Sequence, residues 1–282
     1  MTTHIPFAYD VGPLQITGFG IAMLLGFVIA QMASSEELSR RGWDAEIMGD
    51  MTVAAVIGGL LGAKIYYAIL IGDPGAVFSR AGFVFWGGLM GGMVACAGVI
   101  YYKKQTFANI SDAVAPGLAA AYAVGRTGCF AVGDDYGTPW NGFLAVAFPD
   151  GAPPSTVANL TQQFGLGGLG DLPGSQVLSV HPTQLYETAM GMAMFAILWR
   201  LRDHKHAQGW LFGVYCVLQG SERFIIEFFR AKDDRIFGAL TVAQVIALGF
   251  ITLGLVWMQM RAQTSPTRPG IMAPGAAATP RG

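Results

Sequence analysis

The sequence has little charge: Asp, Glu, Lys and Arg make up only 12% of its 282 residues, whereas 53% are hydrophobic. A soluble domain carries about twice that charged fraction. Apolar runs of about 20 residues, the length needed to cross a bilayer, recur along the chain. The composition therefore predicts an integral membrane protein.

Other absences exclude whole classes of function. The formal net charge of −1 and the lack of a basic stripe exclude a nucleic-acid binder. Cys96, Cys129 and Cys216 are scattered, without the spacing of a metal site. The chain has no metal-binding motif, P-loop or serine nucleophile elbow, so neither a metal nor a cofactor is predicted. The first apolar run lacks the basic region and cleavage site of a signal peptide, and we expect it to remain as a helix.

Apolar runs are predicted to form the transmembrane helices, because an open sheet cannot satisfy its backbone hydrogen bonds in lipid. The runs are Leu14–Ser34, Met48–Ile71, Phe83–Tyr102, Ile110–Gly125, Leu185–Leu201, Trp210–Phe229 and Leu240–Met260. Lys and Arg are concentrated at the connections on one side, which places the C-terminus in the cytoplasm and the N-terminus outside. The predicted fold is an all-α integral membrane protein with about seven transmembrane helices.

Two segments are predicted to lie outside this transmembrane domain of residues 1–261. Residues 131–180, rich in Gly, Pro, Asp and Asn, are expected to form a small extracytoplasmic subdomain, with Trp140, Phe143 and Phe148 as interfacial anchors. Residues 262–282 have the composition of a disordered cytoplasmic tail.

Ionisable residues in or beside the apolar runs are candidates for function, because lipid makes them costly. The stretch Gly125–Gly137 carries Arg126 among glycines, followed by Asp134 and Asp135. An arginine fork suits a phosphate, but an ion pair with either aspartate explains it as well. Gly137 either lets the backbone approach a ligand or turns the chain. Lys64, inside the second helix, either extends to the membrane surface or supplies charge for an anionic headgroup.

Two further clusters contain candidate site residues. The segment His181–Glu187 opens the fifth helix, where His181 or Thr183 is a candidate cap. Arg223, Glu227 and Arg230 are spaced to share one helical face, as either a structural ion ladder or an anion site in which Glu227 orients the arginines. The candidate ligand-binding residues of the first segment are His181, Gln184, Tyr186 and Glu187. The clusters predict a polar pocket that favours an anion, without identifying a reaction.

Four motifs in order resemble those of the prolipoprotein diacylglyceryl transferase family. Gly125–Gly137 is similar to the signature that begins Gly-Arg-x-Gly-Asn-Phe, and His181–Glu187 to His-Pro-Ser-Gln-Leu-Tyr-Glu. Arg223–Arg230 matches Arg-Phe-x-x-Glu-Phe-x-Arg, and Gly59–Lys64 resembles a Gly-rich helix that ends in Arg. The resemblance extends from about Gly12 to Met260.

The resemblance implies a bacterial inner-membrane enzyme with its active site toward the extracytoplasmic side. Such an enzyme transfers the diacylglyceryl group of phosphatidylglycerol to the lipobox cysteine of a prolipoprotein, forming a thioether and releasing glycerol phosphate. Its partners are phosphatidylglycerol, the signal-peptide lipobox and the surrounding membrane lipids. The implied catalytic residues are Arg126, Arg223, Asp134 and Glu227, and the implied substrate-binding residues are Lys64, Gly137, His181, Gln184, Tyr186, Glu187 and Arg230. The two catalytic arginines would neutralise the departing phosphate.

Three departures from the family pattern bear on the mechanism. Trp86 stands where the family commonly has a histidine proposed as the base, Gly18-Phe19-Gly20 replaces Trp-Tyr-Gly, and Cys129 replaces the signature asparagine.

Three explanations of these departures remain open. Arg126, Arg223 and Lys64 together lower the pKa of the attacking thiol, or an acid among Asp134, Asp135 and Glu227 accepts its proton, or the chain is a non-catalytic phospholipid-binding paralogue. A small-molecule carrier is a further alternative, although the sequence shows no internal repeat.

Overall fold

The computed structural model describes residues 2–12, 14–79, 82–232, 235–237 and 240–263. The predicted tail therefore lies outside the described residues from position 264 onward. The helices are α1 (Gly18–Arg40), α2 (Ile47–Ile71), α3 (Phe85–Tyr102), α4 (Phe107–Val132), α5 (Val157–Gln162), α6 (Thr183–Leu201), α7 (Trp210–Ile226) and α8 (Val242–Met260). The strands are β1 (Thr2–Thr3), β2 (Ala8–Val11), β3 (Leu14–Thr17), β4 (Val146–Ala147), β5 (Ser179–Val180), β6 (Arg235–Phe237) and β7 (Leu240–Thr241). The predicted helical class is confirmed.

Helix length and composition separate two groups of helices. Within the described residues, α1, α2, α3 and α8 are long and apolar enough to cross a membrane. The other long helices, α4, α6 and α7, carry Arg126, Glu187 and Arg223 and several fully buried positions. The candidate site is built on this second group.

Small residues set the direction in which α1 and α6 pack on α4. Gly26 of α1 lies against Ala121 of α4, and Gly117 of α4 lies against Ala30, so α1 and α4 are antiparallel. Gly191 of α6 contacts Ala123, and Glu187 of α6 contacts Arg126, so α6 is also antiparallel to α4. With small side chains at these crossings, the backbones approach closely, as in many membrane helix pairs.

Polar contacts fix the direction of α7. Asp112 near the start of α4 accepts the Phe212 backbone N–H at 2.9 Å, and Tyr122 in the second half of α4 contacts Glu222 at 3.0 Å. Helices α4 and α7 are therefore parallel. The end of α4, the start of α6 and the end of α7 consequently lie at the same end of the bundle.

The predicted helix from Leu14 is wrong over its first four residues. Leu14–Thr17 forms β3, which pairs antiparallel with β2 in a hairpin. The helix begins at Gly18 because the Thr17 side chain accepts the Gly20 N–H at 3.1 Å and caps the first turn.

The segment between α4 and α6 is ordered. β4 pairs with β1 in parallel and with β5 antiparallel. Phe148 is fully buried in a cluster with Tyr136, Leu160 and Val180, so its prediction as an interfacial anchor is wrong. Phe143 is exposed. The small sheet and this cluster hold the loop that follows α4 against the start of α6.

Candidate active site

Backbone hydrogen bonds bring the sequence motifs together at one end of the bundle. The Gly137 N–H donates to the His181 carbonyl at 2.8 Å, and the Thr138 N–H donates to Phe229 at 2.8 Å. The loop after α4 is thereby tied to the start of α6 and to the segment after α7. Three stretches that are far apart in sequence form one polar site.

Arg126 lies at the centre of this site. Its Nη1 is 3.0 Å from Asp135 and 3.2 Å from the Cys129 sulfur, and its Nη2 contacts Glu187. The predicted pairing with an aspartate is thus confirmed for Asp135. Helix α4 carries Arg126 because it continues to Val132 instead of ending at Gly125 as predicted. Gly133, with φ of 72°, then ends the helix.

Asp135 joins two arginines. Besides Arg126, it binds Arg230 Nη2 at 2.6 Å. Burial alone raises the pKa of Asp135, but the Arg230 and Arg126 guanidinium groups overcome that effect and lower it to about 2. Asp135 is therefore ionised at neutral pH and fixes both arginines.

Arg223 is the most exposed of the three site arginines. Its Nη2 lies 2.8 Å from Glu227, and its side chain is 34% exposed, compared with 11% for Arg126 and 14% for Arg230. The expectation that Glu227 orients both arginines on one helical face is wrong, because α7 ends at Ile226 and Arg230 turns to Asp135.

Asp134 has an unpaired oxygen in the site. Burial raises the pKa of Asp134 to about 6, and the charge of Asp135 adds to the rise. Its Oδ1 is buried and has no hydrogen-bond partner among the described residues. The Gln184 amide binds the Asp134 backbone carbonyl, and the Cys129 thiol interacts with the Asp134 carboxylate, so Oδ1 is the carboxylate oxygen that remains unpaired among the described residues.

The predicted side-chain cap at the start of α6 is wrong. Neither His181 nor Thr183 caps the helix, because Pro182 is the N-cap and no side-chain cap is present. Thr183 Oγ1 instead donates to the Asp135 carbonyl at 2.6 Å. These contacts fix the Asp134–Asp135 loop from the side of α6.

An aromatic group surrounds His181. Its ring stacks on Trp140 at 4.3 Å between centroids, and its Nδ1 is 3.2 Å from the Tyr186 hydroxyl. Burial lowers the pKa of His181, which favours the neutral imidazole. His181 and Tyr186 therefore form a polar edge on an otherwise aromatic surface.

Two features beside the arginines are alternative candidate sites. Cys129, Asp134 and Asp135 place possible metal-donor atoms within 4.8 Å of one another. Because the charge of Asp135 is already balanced by two arginines, we assign no metal site. A cavity of about 620 Å³ lies between β1 and residues 141–145 and 172–179, but within the described part of the chain no ionisable side chain lines it.

Comparison with known proteins gives one consistent result. The family model described as prolipoprotein diacylglyceryl transferase matches residues 6–260. The chain is 31% identical over 272 residues to the phosphatidylglycerol–prolipoprotein diacylglyceryl transferase of Nitratidesulfovibrio vulgaris, covering 90% of this chain and 92% of that protein. The protein of the same name from Xanthomonas euvesicatoria pv. vesicatoria is 30% identical over 288 residues, with 95% of each chain covered.

The chain belongs to the prolipoprotein diacylglyceryl transferase family. The predicted family and its transferase class are confirmed. The matched region contains all four motifs of the resemblance.

Lys64, from the fourth of these family motifs, lies in a different environment. Its Nζ donates to the Ser79 carbonyl at 2.6 Å and lies 4.2 Å above the Phe83 ring. Both partners belong to the connection between α2 and α3. Trp86, at the family's histidine position, is half-exposed at the start of α3 and contacts Phe85. Neither the ammonium nor the indole is part of the ion pairs around Arg126.

Two site residues were missed in the sequence. The Tyr122 hydroxyl lies 3.1 Å from Glu187 and 3.0 Å from Glu222, and Glu222 is only 3% exposed. An acid inside an apolar helix is itself a signal of function, and Glu222 carried that signal beside Arg223. Tyr122 resembles any tyrosine of a packed helix, and its position became apparent only from the three-dimensional contacts.

Proposed function

We propose that this chain transfers the diacylglyceryl group of phosphatidylglycerol to the lipobox cysteine thiol of prolipoproteins. The reaction forms a thioether and releases glycerol phosphate. The observation that carries the proposal is the meeting of Arg126, Arg223 and Arg230 with Asp134 and Asp135 at one end of the bundle. Family membership supplies the reaction class, and this constellation supplies groups suited to it.

In this proposal Arg223 receives the lipid phosphate. Its Nη2 is engaged by Glu227, but Nη1 is 4.0 Å from Glu187 and retains donors for a phosphate oxygen. Arg126 and Arg230 are fixed by Asp135 and contribute preorganised positive charge. Donors held in place before the reaction stabilise charge on the leaving phosphate most effectively.

Asp134 is the proposed proton acceptor for the thiol. A base with a pKa near the working pH is the most effective one, and burial brings Asp134 to about 6. The thiol gives its proton to Asp134, and the sulfur attacks the lipid carbon that bears the phosphate. The S–C bond forms as the C–O bond breaks, and glycerol phosphate leaves with the bond's electron pair. This step needs no histidine at position 86.

The remaining assignments complete the proposal. Residues 1–261 form the catalytic domain in about seven spans, with residues 131–180 outside the cell membrane and 262–282 as a cytoplasmic tail. The antiparallel packing supports this, since Arg40 and Lys103 mark the helix ends opposite the site. His181, Gln184, Tyr186, Gly137 and Lys64 are proposed to line the approach of lipid and lipobox peptide. The enzyme is then an inner-membrane protein that acts on the extracytoplasmic side.

The role of Arg223 is tested by Arg223→Ala in purified full-length protein, with phosphatidylglycerol and a lipobox peptide as substrates. We expect glycerol phosphate release to fall at least about 100-fold, as when one charge-stabilising donor is removed. Arg202→Ala is the matched control. Arg202 is also partly exposed and pairs with Glu36, but it lies just after the C-terminal end of α6, whereas the site is at the N-terminal end. Retained transfer in Arg223→Ala would refute the assignment.

A non-catalytic phospholipid-binding paralogue is the second candidate. The observation that favours it is Trp86, whose indole cannot accept a proton and which lies outside the ion-pair network. Folded protein that binds phosphatidylglycerol but never releases glycerol phosphate would establish this alternative.

A further inference from the structure

A chain of hydrogen bonds runs behind the arginines through three helices. It starts at Gln219 on α7, passes to Glu222, crosses to Tyr122 on α4, and ends at Glu187 on α6, which contacts Arg126. The Gln219–Glu222 and Glu222–Tyr122 distances are each 3.0 Å, and the Tyr122–Glu187 distance is 3.1 Å.

The number of protons available to these hydrogen bonds determines the charge of the two glutamates. The Tyr122 hydroxyl has one proton, yet two carboxyl oxygens lie within hydrogen-bond distance of it. If Glu187 and Glu222 were both ionised, one of these contacts would hold two lone pairs together without a proton. One of the two carboxyl groups therefore carries a proton and donates it to the tyrosine oxygen.

The surrounding charges determine which carboxyl is protonated. Glu187 contacts the Arg126 guanidinium and has Arg223 Nη1 at 4.0 Å. Among the described residues, no ion pair includes Glu222, which is 3% exposed. A buried carboxyl that forms no ion pair stays neutral, since removing its charge from water is strongly unfavourable. The charged and titratable groups that face Glu222 are Tyr122 and Arg126 of α4, Glu187 of α6, and Tyr215 and Arg223 of its own helix.

We propose that Glu222 is a protonated positioning residue: through Tyr122 it holds the Glu187 carboxylate against Arg126. Each hydrogen bond in this series then has a defined donor and acceptor. Gln219 donates to Glu222 Oε2, Glu222 Oε1–H donates to Tyr122, and the tyrosine donates to Glu187. An ionised Glu222 would break this order and add a negative charge beside a site that must receive an anionic lipid. The catalytic consequence rests on the transferase function proposed above, whereas the protonation of Glu222 does not.

Infrared difference spectroscopy on the full-length protein in lipid nanodiscs tests the proton directly. Subtracting the Glu222→Gln spectrum from wild type should reveal the carbonyl stretch of a neutral carboxylic acid, with a shift in heavy water. Glu37→Gln is the matched control, because Glu37 is equally buried but forms ion pairs with Arg40 and Arg41. Its difference spectrum should contain no such band. If both proteins are folded and the wild-type-minus-Glu222→Gln difference spectrum lacks the band, the proposal is overturned.

The transfer assay tests the positioning. Glu222→Gln keeps a donor toward Tyr122 and an acceptor toward Gln219, so we expect transfer within about threefold of wild type. Tyr122→Phe breaks both contacts and should lower transfer about tenfold. The wild-type rate should fall at alkaline pH as Glu222 loses its proton, and Glu222→Gln should lack this fall. Equal losses in the two variants would contradict the positioning role. An acid band in wild-type protein that shows no transfer would refute the transferase function while supporting the protonated Glu222.

Discussion

The replacement of Arg126 by alanine is the most informative perturbation of the site. It leaves Glu187, a carboxylate that is 1% exposed, without its closest cation. Removing one partner of a buried ion pair typically costs about 3–5 kcal/mol. Asp135 keeps Arg230 and is partly exposed, and Tyr122 still donates to Glu187. We therefore expect the lower end of that range, about 3 kcal/mol of unfolding free energy.

Adding Glu187→Gln separates stability from catalysis. The double variant has no unpaired carboxylate, so it should recover about 2 kcal/mol of the lost stability. Transfer should remain at least about 100-fold below wild type in both variants, because the preorganised guanidinium is still missing. Stability is measured by reversible unfolding in detergent, and transfer by glycerol phosphate release per folded molecule.

Arg41→Ala supplies the matched control for this experiment. Arg41 is fully buried and binds Glu37 at 2.7 Å, at the opposite end of the bundle. Its loss should destabilise the protein to a similar extent without changing transfer per folded molecule. Our reasoning would be refuted if Arg126→Ala kept near-normal transfer, or if Glu187→Gln failed to restore stability.

Three further variants test separate parts of the site. Transfer should rise as the pH passes about 6, because Asp134 must lose its proton to act as a base, and Asp134→Asn should abolish this rise in the pH–rate profile. Gly137→Ala should lower both stability and transfer, measured by unfolding and product release, because its Cβ would collide with the Phe229 carbonyl oxygen. Trp86→Phe should leave transfer unchanged in the same assay, since the indole lies outside the ion-pair network.

Each of these predictions has a contradicting result. An unchanged acidic limb in Asp134→Asn would assign the base elsewhere. Wild-type stability in Gly137→Ala would mean that the loop does not need the close approach to Phe229. A large loss in Trp86→Phe would give position 86 a role in the reaction that the ion pairs do not suggest.

The helices could largely be predicted from the sequence because apolar length is a local property. The predicted helix boundaries are wrong where tertiary contacts override the local sequence preference. The apolar run of the first helix continues into Leu14–Thr17, yet these residues pair with β2 and Thr17 caps the helix. Gly125 looked like the end of α4, but the helix continues to Val132, and Gly128 packs closely against Ala22 of α1.

The site could be predicted as a set of residues but not as a network. The motifs identified Arg126, Arg223 and the acids, because charge in an apolar context is visible in the sequence. Which acid binds which arginine depends on loops that meet in space. Helical spacing joined Arg230 to Glu227, whereas the end of α7 at Ile226 sends Arg230 to Asp135.

The most direct test of the central claim is the mass of a lipobox peptide after incubation with purified full-length protein and phosphatidylglycerol. The account predicts a diacylglyceryl thioether on the cysteine, formed in equal amount with free glycerol phosphate. An unmodified peptide, with the protein folded and phosphatidylglycerol bound, would contradict the transferase function and identify the chain as a phospholipid-binding member of the family.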